Sequence, residues 1–139
     1  MKILEVLTEK RKIGNTGEAL AIKHLRKNGY KILAKNYVAN NNEIDIIAEN
    51  KTTVAFIEVK TRTADTPSRF EPRPASAVTP EKQRGIISAA KYYIYANEIK
   101  NKYISLDVIE VYLYSDKAQN KIIHIKNAFN ANTAYKKGF

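Results

Sequence analysis

Two neighbouring stretches, Glu43-Ile44-Asp45-Ile46-Ile47-Ala48 and Val54-Ala55-Phe56-Ile57-Glu58-Val59-Lys60, place apolar residues on both faces of a period-two pattern. That pattern predicts strands buried in the middle of a sheet. Tyr30 to Tyr37 reads as an earlier strand, and Ala39-Asn40-Asn41-Asn42 as a polar turn after it. From Gly14 the spacing is helical: Asn15 or Thr16 caps the start, Ala19, Ile22 and Leu25 form one stripe, and Gly29 ends the helix. Met1 to Ile13 fits a short helix or an ordered arm. Thr79-Pro80-Glu81 combines a capping threonine, a first-position proline and an acidic first turn. The helix it opens carries Ile86, Ile87, Ala90, Tyr93 and Ile94 on its apolar stripe and runs to about Ala96. Tyr103 to Tyr114 and Asn120 to Lys126 supply two more strands. Thr61 to Val78, with three of the four prolines, reads as a long loop leaving directly from Lys60.

The order is helix, three strands, loop, helix, two strands. It predicts an α/β fold with a mixed central sheet flanked by helices. The helix between the third and fourth strands makes a βαβ crossover, so that pair should be parallel. A length of 139 residues suits a single domain, read as 1–129, with the basic, aperiodic stretch 130–139 as a loose C-terminal tail. Neither an internal repeat nor a glycine-rich phosphate loop is present in the sequence.

Charges inside the two central strands need an explanation, because burying them is costly unless they are paired or hold a metal. Glu58 and Lys60 are two apart and share a face, with Val59 turned to the other. The link Asn50-Lys51-Thr52-Thr53 is short and polar and predicts a hairpin. If Glu49 faces Val54, counting back puts Asp45 opposite Glu58. Directly opposed residues have Cβ atoms within ~5 Å. Two carboxylates that close repel unless a cation lies between them. Magnesium suits such a pair, since it takes a few carboxylate oxygens and keeps positions for water and phosphate.

Composition narrows the partner. The formal charge is +10, which favours a polyanion, nucleic acid ahead of a membrane surface. The absence of cysteine excludes disulfides and thiolate metal sites. No apolar run approaches a membrane span, and the cytoplasm is the expected location.

Phosphodiester hydrolysis needs carboxylates to hold a cation and a positive group to stabilise the charge that builds on phosphorus. Asp45 and Glu58 can do the first and Lys60 the second. Glu18 joins them if its helix packs across the sheet there; otherwise it complements a helix dipole. Arg62, Arg69, Arg73, Lys82 and Arg84 are the candidate nucleic-acid contacts. The bland alternative, a buried salt bridge, accounts for one carboxylate and Lys60 but leaves the second carboxylate over. Asp107 reads as supporting at best, and His24 and His124 match neither a metal pair nor a triad. Tyr92, Tyr93 and Tyr95 offer bases a stacking surface, although their helical spacing favours packing.

Asp45 followed by Glu58-Val59-Lys60 resembles the PD-(D/E)XK nuclease signature. A wider pattern resembles the YraN-like family of small bacterial proteins, UPF0102: Gly14, Gly17-Glu18, Ala21, Leu25, Gly29-Tyr30, Ile32-Leu33, Asn36, the Glu43–Ala48 run, Phe56-Ile57-Glu58-Val59-Lys60-Thr61-Arg62, Pro74-Ala75-Ser76-Ala77-Val78, Lys82, Asp107-Val108-Ile109 and Asn127-Ala128-Phe129. The chain departs from that pattern at Asn42, where glycine is usual, at Ser105, where arginine is usual, and shortly after Asn36, where an expected arginine is absent. The family is similar to archaeal Holliday-junction resolvases. The resemblance implies a restriction-endonuclease-like fold and a magnesium-dependent endonuclease site, with manganese as a substitute. Its metal would lie at Asp45, Glu58, Glu18 and the Val59 carbonyl. DNA, branched or damaged, is the expected substrate, with a homodimer expected if a junction is resolved symmetrically. An RNA-directed nuclease and a non-catalytic nucleic-acid-binding module are the alternatives.

Overall fold

The computed structural model describes residues 3–64, 78–114 and 120–135. Its elements, in order, are helix α1 (Ile3–Lys27), strands β1 (Lys31–Ala39), β2 (Asn42–Glu49) and β3 (Thr53–Ala64), helix α2 (Pro80–Ala96), strands β4 (Tyr103–Tyr114) and β5 (Lys121–Ile125), and the helical turn α3 (Ala131–Ala134). The strands form one sheet in the order β1-β2-β3-β4-β5. All neighbours are antiparallel except β3 and β4, which are parallel across the α2 crossover as expected. This is the mixed sheet flanked by helices of a restriction-endonuclease-like fold.

The helices cover opposite faces. Under α1, Ala21 and Leu25 meet Ile46, Ala48, Ala55, Ile57, Ile109 and Val111. Under α2, Ile86, Ile87 and Ala90 meet Ile44, Ile47, Val54, Phe56 and Val108. Alternate residues of β3 therefore feed two separate cores, which is why its sequence is apolar at nearly every position. α2 begins as its sequence dictates, with the Thr79 side chain accepting the Lys82 N–H at 3.2 Å. α1 ends at Gly29, whose φ of +88° is open to glycine, and the Tyr30 N–H returns to the Leu25 carbonyl.

Three differences from the sequence reading matter for the site. First, α1 does not start at Gly14 but at Ile3, and it passes straight through Gly14-Asn15-Thr16-Gly17. Thr16 bonds back to the Lys12 carbonyl at 2.9 Å instead of capping. The buried stripe is Gly17, Ala21 and Leu25, while Ala19 is exposed. Second, β3 continues through Thr61 to Ala64, held by its ladder to β4, where the sequence suggested a loop. Arg69 and Arg73 lie outside the described residues. Third, the beginning of the expected tail is docked. Asn130 and Thr133 form a capping box, Ala134 is buried, and Thr133 donates to Gln83 of α2. Residues 136–139 lie outside the described residues.

At Gly17, α1 lies directly against β3. A Cβ there would lie 1.9 Å from Thr61 Oγ1. Helix propensity alone favours alanine by about 1 kcal/mol, but the overlap outweighs it. Gly17→Ala is expected to destabilise the protein by roughly 1–3 kcal/mol, read as a lower midpoint in thermal unfolding. A midpoint at or above the wild type would show that α1 does not rest on β3 at this point.

Candidate active site

The hairpin register is the one counted from the sequence: Glu49 pairs with Val54, Ala48 with Ala55, Ile47 with Phe56 and Ile46 with Ile57. The ladder then stops, one pair short of Asp45 and Glu58. Residues two apart on a strand should share a face, yet Ile46 packs under α1 and Ile44 under α2. The pleat is therefore broken at Asp45. On the neighbouring strand, Asn36 lies between the Lys35–Ile46 and Tyr37–Ile44 pairs and has a φ of +51°. The Asp45 carboxylate takes over the missing ladder bond, accepting the Val59 N–H at 2.8 Å. Asp45 and Glu58 do come together, by this opening of the two strands rather than by simple cross-strand opposition.

Glu58 is buried, 5% exposed, and faces the α2 side with Lys60. Lys60 Nζ lies 3.5 Å from Glu58 Oε1, and Lys82 Nζ, from the first turn of α2, lies 3.9 Å from the same oxygen. The other carboxylate oxygen, Oε2, is buried and accepts no hydrogen bond among the described residues. Burial, followed by repulsion from Asp45, pushes the Glu58 carboxyl up to about 7, against a smaller pull downward from Lys82 and Lys60. Two ammonium groups do not offset the desolvation of this carboxylate and its acidic neighbour.

Glu18 reaches the same place from the other face. It lies near the middle of α1, not in its first turn, so complementing the helix dipole no longer accounts for it. Partial burial raises its pKa, with Asp45 and then Glu43 adding to the rise. Glu18, Asp45, Glu58 and Val59 border one cavity of about 400 Å³, which Lys10 and Thr61 also line. Among the described residues, no group of three or more His, Cys, Asp or Glu side chains is gathered as a ready-made metal cage. The donors present are hard carboxylate oxygens, and Val59 lines the same cavity. They suit a cation that completes its shell with water and phosphate.

The basic candidates divide. Lys82 stands at the carboxylates with its side chain 47% exposed. Arg62 is turned inward, with Nε 3.6 Å from Glu110, which also accepts from the Tyr112 hydroxyl. Arg84 donates to the Ala134 carbonyl at 2.7 Å and holds the C-terminal turn. The Glu110–Arg62 pair went unnoticed in the sequence. Its signal was Arg62 continuing the face of Glu58 and Lys60, next to a parallel strand whose register places Glu110 beside Lys60. Asp107 is fully buried and committed elsewhere, to Ser105, to His124 at 2.7 Å and to the Asn127 N–H at 3.0 Å. It locks β4 to β5. Asn42 and Ser105, which replace the usual glycine and arginine, are both used in local hydrogen bonds: Asn42 donates to the Asn40 carbonyl and Ser105 donates to Asp107.

An α/β protein with this sheet, and with two carboxylates and a lysine at the opening of its central hairpin, defines the class. Within it, the chain belongs to a family: the model of the Uncharacterised protein family UPF0102 matches residues 17–111. A UPF0102 protein of Clostridium perfringens (strain SM101) is 43% identical over 117 residues, covering 84% of this chain and 93% of that protein. One from Caldanaerobacter subterraneus subsp. tengcongensis is 42% identical over 121 residues, covering 86% and 96%. One from Clostridioides difficile is 42% identical over 116 residues, covering 84% and 95%. The matched span contains Glu18, Asp45, Glu58, Lys60 and Lys82. Among the described residues no helix is long and apolar enough to cross a membrane.

Proposed function

We propose that this protein is a metal-dependent endonuclease of the PD-(D/E)XK type that hydrolyses phosphodiester bonds in DNA in the cytoplasm. The observation that carries the reading is the state of Glu58. A buried carboxylate oxygen without a hydrogen bond, beside a second carboxylate, leaves negative charge that two nearby lysines do not neutralise. A buried carboxylate of this kind is relieved by holding a proton, as Glu58 does below about pH 7, or by a cation bound between it and Asp45, and the second is the reading proposed for the working protein.

Asp45, Glu58 and the Val59 carbonyl would hold magnesium or manganese, with Glu18 binding a water of its shell. A divalent cation bound there would polarise a phosphate oxygen and make a bound water more acidic. The chain's own groups supply the rest. The Val59 N–H fixes the Asp45 carboxylate. Lys60 presents its ammonium beside Glu58, where it can orient the attacking water or stabilise the charge gathering on the phosphate. Lys82, half exposed on α2, is placed to meet a neighbouring phosphate. The net charge of +10 favours approach to the nucleic-acid backbone.

The test is cleavage of junction, flap and duplex DNA with magnesium or manganese, comparing the wild type with Asp45→Ala. Cation-dependent cutting is expected in the wild type, and roughly a thousandfold less in the variant, which loses the several kcal/mol that a bound cation supplies. Cutting that persists in Asp45→Ala would sink the assignment. Salt-sensitive DNA binding without turnover would favour the binding-module alternative.

A further inference from the structure

We infer that a second site, on the far half of α2, holds unpaired bases of the DNA strand that crosses the active site; this deepens the nuclease reading and rests on it. The outer stripe of α2 carries Arg84, Ser88, Lys91, Tyr92 and Tyr95 at spacings that share one side of a helix. Of the three tyrosines in this helix, Tyr93 is consumed by the core, edge-on to Tyr37 and Phe56. Tyr92 and Tyr95 are not: they are 50% and 83% exposed. The C-terminal turn adds another ring. Tyr135, also exposed, borders a groove of about 400 Å³ together with Lys91, Tyr92 and Tyr95.

The third ring is held in place rather than left loose. The Asn130–Thr133 capping box, the Thr133 bond to Gln83, the buried Ala134 and the Arg84 bond to the Ala134 carbonyl all fix the turn that presents it. The Arg84 guanidinium lies 5.9 Å from the centre of the Tyr135 ring. The opposite wall is tied in by Asn40, which donates to Ser88 at 3.3 Å. Three exposed aromatic rings around a groove that Lys91 also lines, on a chain of charge +10, have the chemistry of a single-stranded nucleic-acid platform. Rings stack on bases of any sequence, and the ammonium meets the backbone.

Position selects this occupant. At 1.5 Å per residue, Tyr92 and Tyr95 lie about 15 and 20 Å along α2 from Lys82, which stands at the carboxylates. The path between them runs over the β1–β2 turn, where Asn40 donates to Ser88 and Asn42 lies against Gly85, with Asp45 three residues further along β2. A paired duplex hides its base faces, so the groove selects for a strand that is unpaired a few nucleotides from the scissile bond. That makes a flap or another branched end the preferred substrate over blunt duplex.

The probe is fluorescence anisotropy with a flap DNA and a blunt duplex of equal length, at fixed salt and without divalent cation, so that binding is read without cleavage. The wild type is expected to bind the flap more tightly. Tyr92→Ala/Tyr95→Ala should weaken flap binding at least tenfold and change duplex binding less than twofold, while Tyr92→Phe/Tyr95→Phe keeps the preference. Both residues are exposed, so these variants are expected to fold. Equal affinity of the wild type for the two DNAs, an alanine variant that binds the flap normally, or an equal loss on both DNAs overturns the proposal. So does concentration-dependent dimerisation that the alanine variant abolishes, since it assigns the face to a second copy of the chain. The preference does not require turnover. If it is found in a protein that never cleaves, the groove stands and the nuclease reading falls.

Discussion

Glu58→Gln is expected to make the cation-free protein more stable at pH 8 and at the same time to abolish cation-dependent cleavage. An ordinary glutamate titrates near 4.5, whereas Glu58 in the folded protein holds its proton to about 7. Between those values the folded state binds a proton that the unfolded chain has released, so this group lowers stability as pH rises through the window. Above pH 7 the full cost is present, on the order of 3 kcal/mol. Glutamine carries no charge to desolvate and no repulsion with Asp45. The gap in thermal midpoint between variant and wild type should therefore be largest at pH 8 and close towards pH 4.5. Magnesium or manganese should raise the wild-type midpoint, through binding to the folded state, and leave the glutamine variant unmoved. Because protons compete for the same carboxylate, the cation effect should strengthen as pH climbs through about 7 and then level off. A variant less stable than the wild type at pH 8 would mean that Glu58 is a satisfied structural ion pair with Lys60 and Lys82.

Lys60→Ala has the second large effect. Removing one charge-stabilising group from an active site costs about 100- to 1,000-fold in rate, and single-turnover cleavage should fall by that much while DNA binding changes little. The pH–rate profile gives a second readout. Lys60 is one of the two cations that pull the Glu58 pKa down, Lys82 acting more strongly. Its loss should move the acid limb of the pH–rate profile upward. That shift follows from the ion pair alone, so chemistry is read on the plateau above it, where a purely structural lysine would leave the single-turnover rate unchanged.

The central hairpin was legible in the sequence because two strong local signals agree: doubly apolar strands and a short polar link. Register follows from the loop once Glu49 faces Val54, and four consecutive pairs obey it. The break at Asp45 was not legible. It appears as Ile44 and Ile46 entering different cores beside a left-handed Asn36, and these are consequences of packing against two helices. The start of α1 was misplaced for a related reason. Gly14 and Gly17 punctuate the sequence as a turn does, yet Gly17 is needed inside the helix so that α1 can rest on Thr61. That same misplacement gave Glu18 a false role as a first-turn acid. The C-terminal turn depends on Gln83 and Arg84, some fifty residues away in sequence, so periodicity within the stretch could not reveal it. The three tyrosines of α2 look alike in the sequence, and burial separates them: Tyr93 to the core, Tyr92 and Tyr95 to the surface.

The proposed chemistry depends on one physical statement, that Asp45 and Glu58 together form a cation site. A crystal soaked in manganese measures this directly through anomalous scattering. The expected result is a peak about 2 Å from oxygens of both carboxylates, lost in crystals of Glu58→Gln. Absence of a peak, with the Lys60 ammonium lying between the two carboxylates instead, would contradict it.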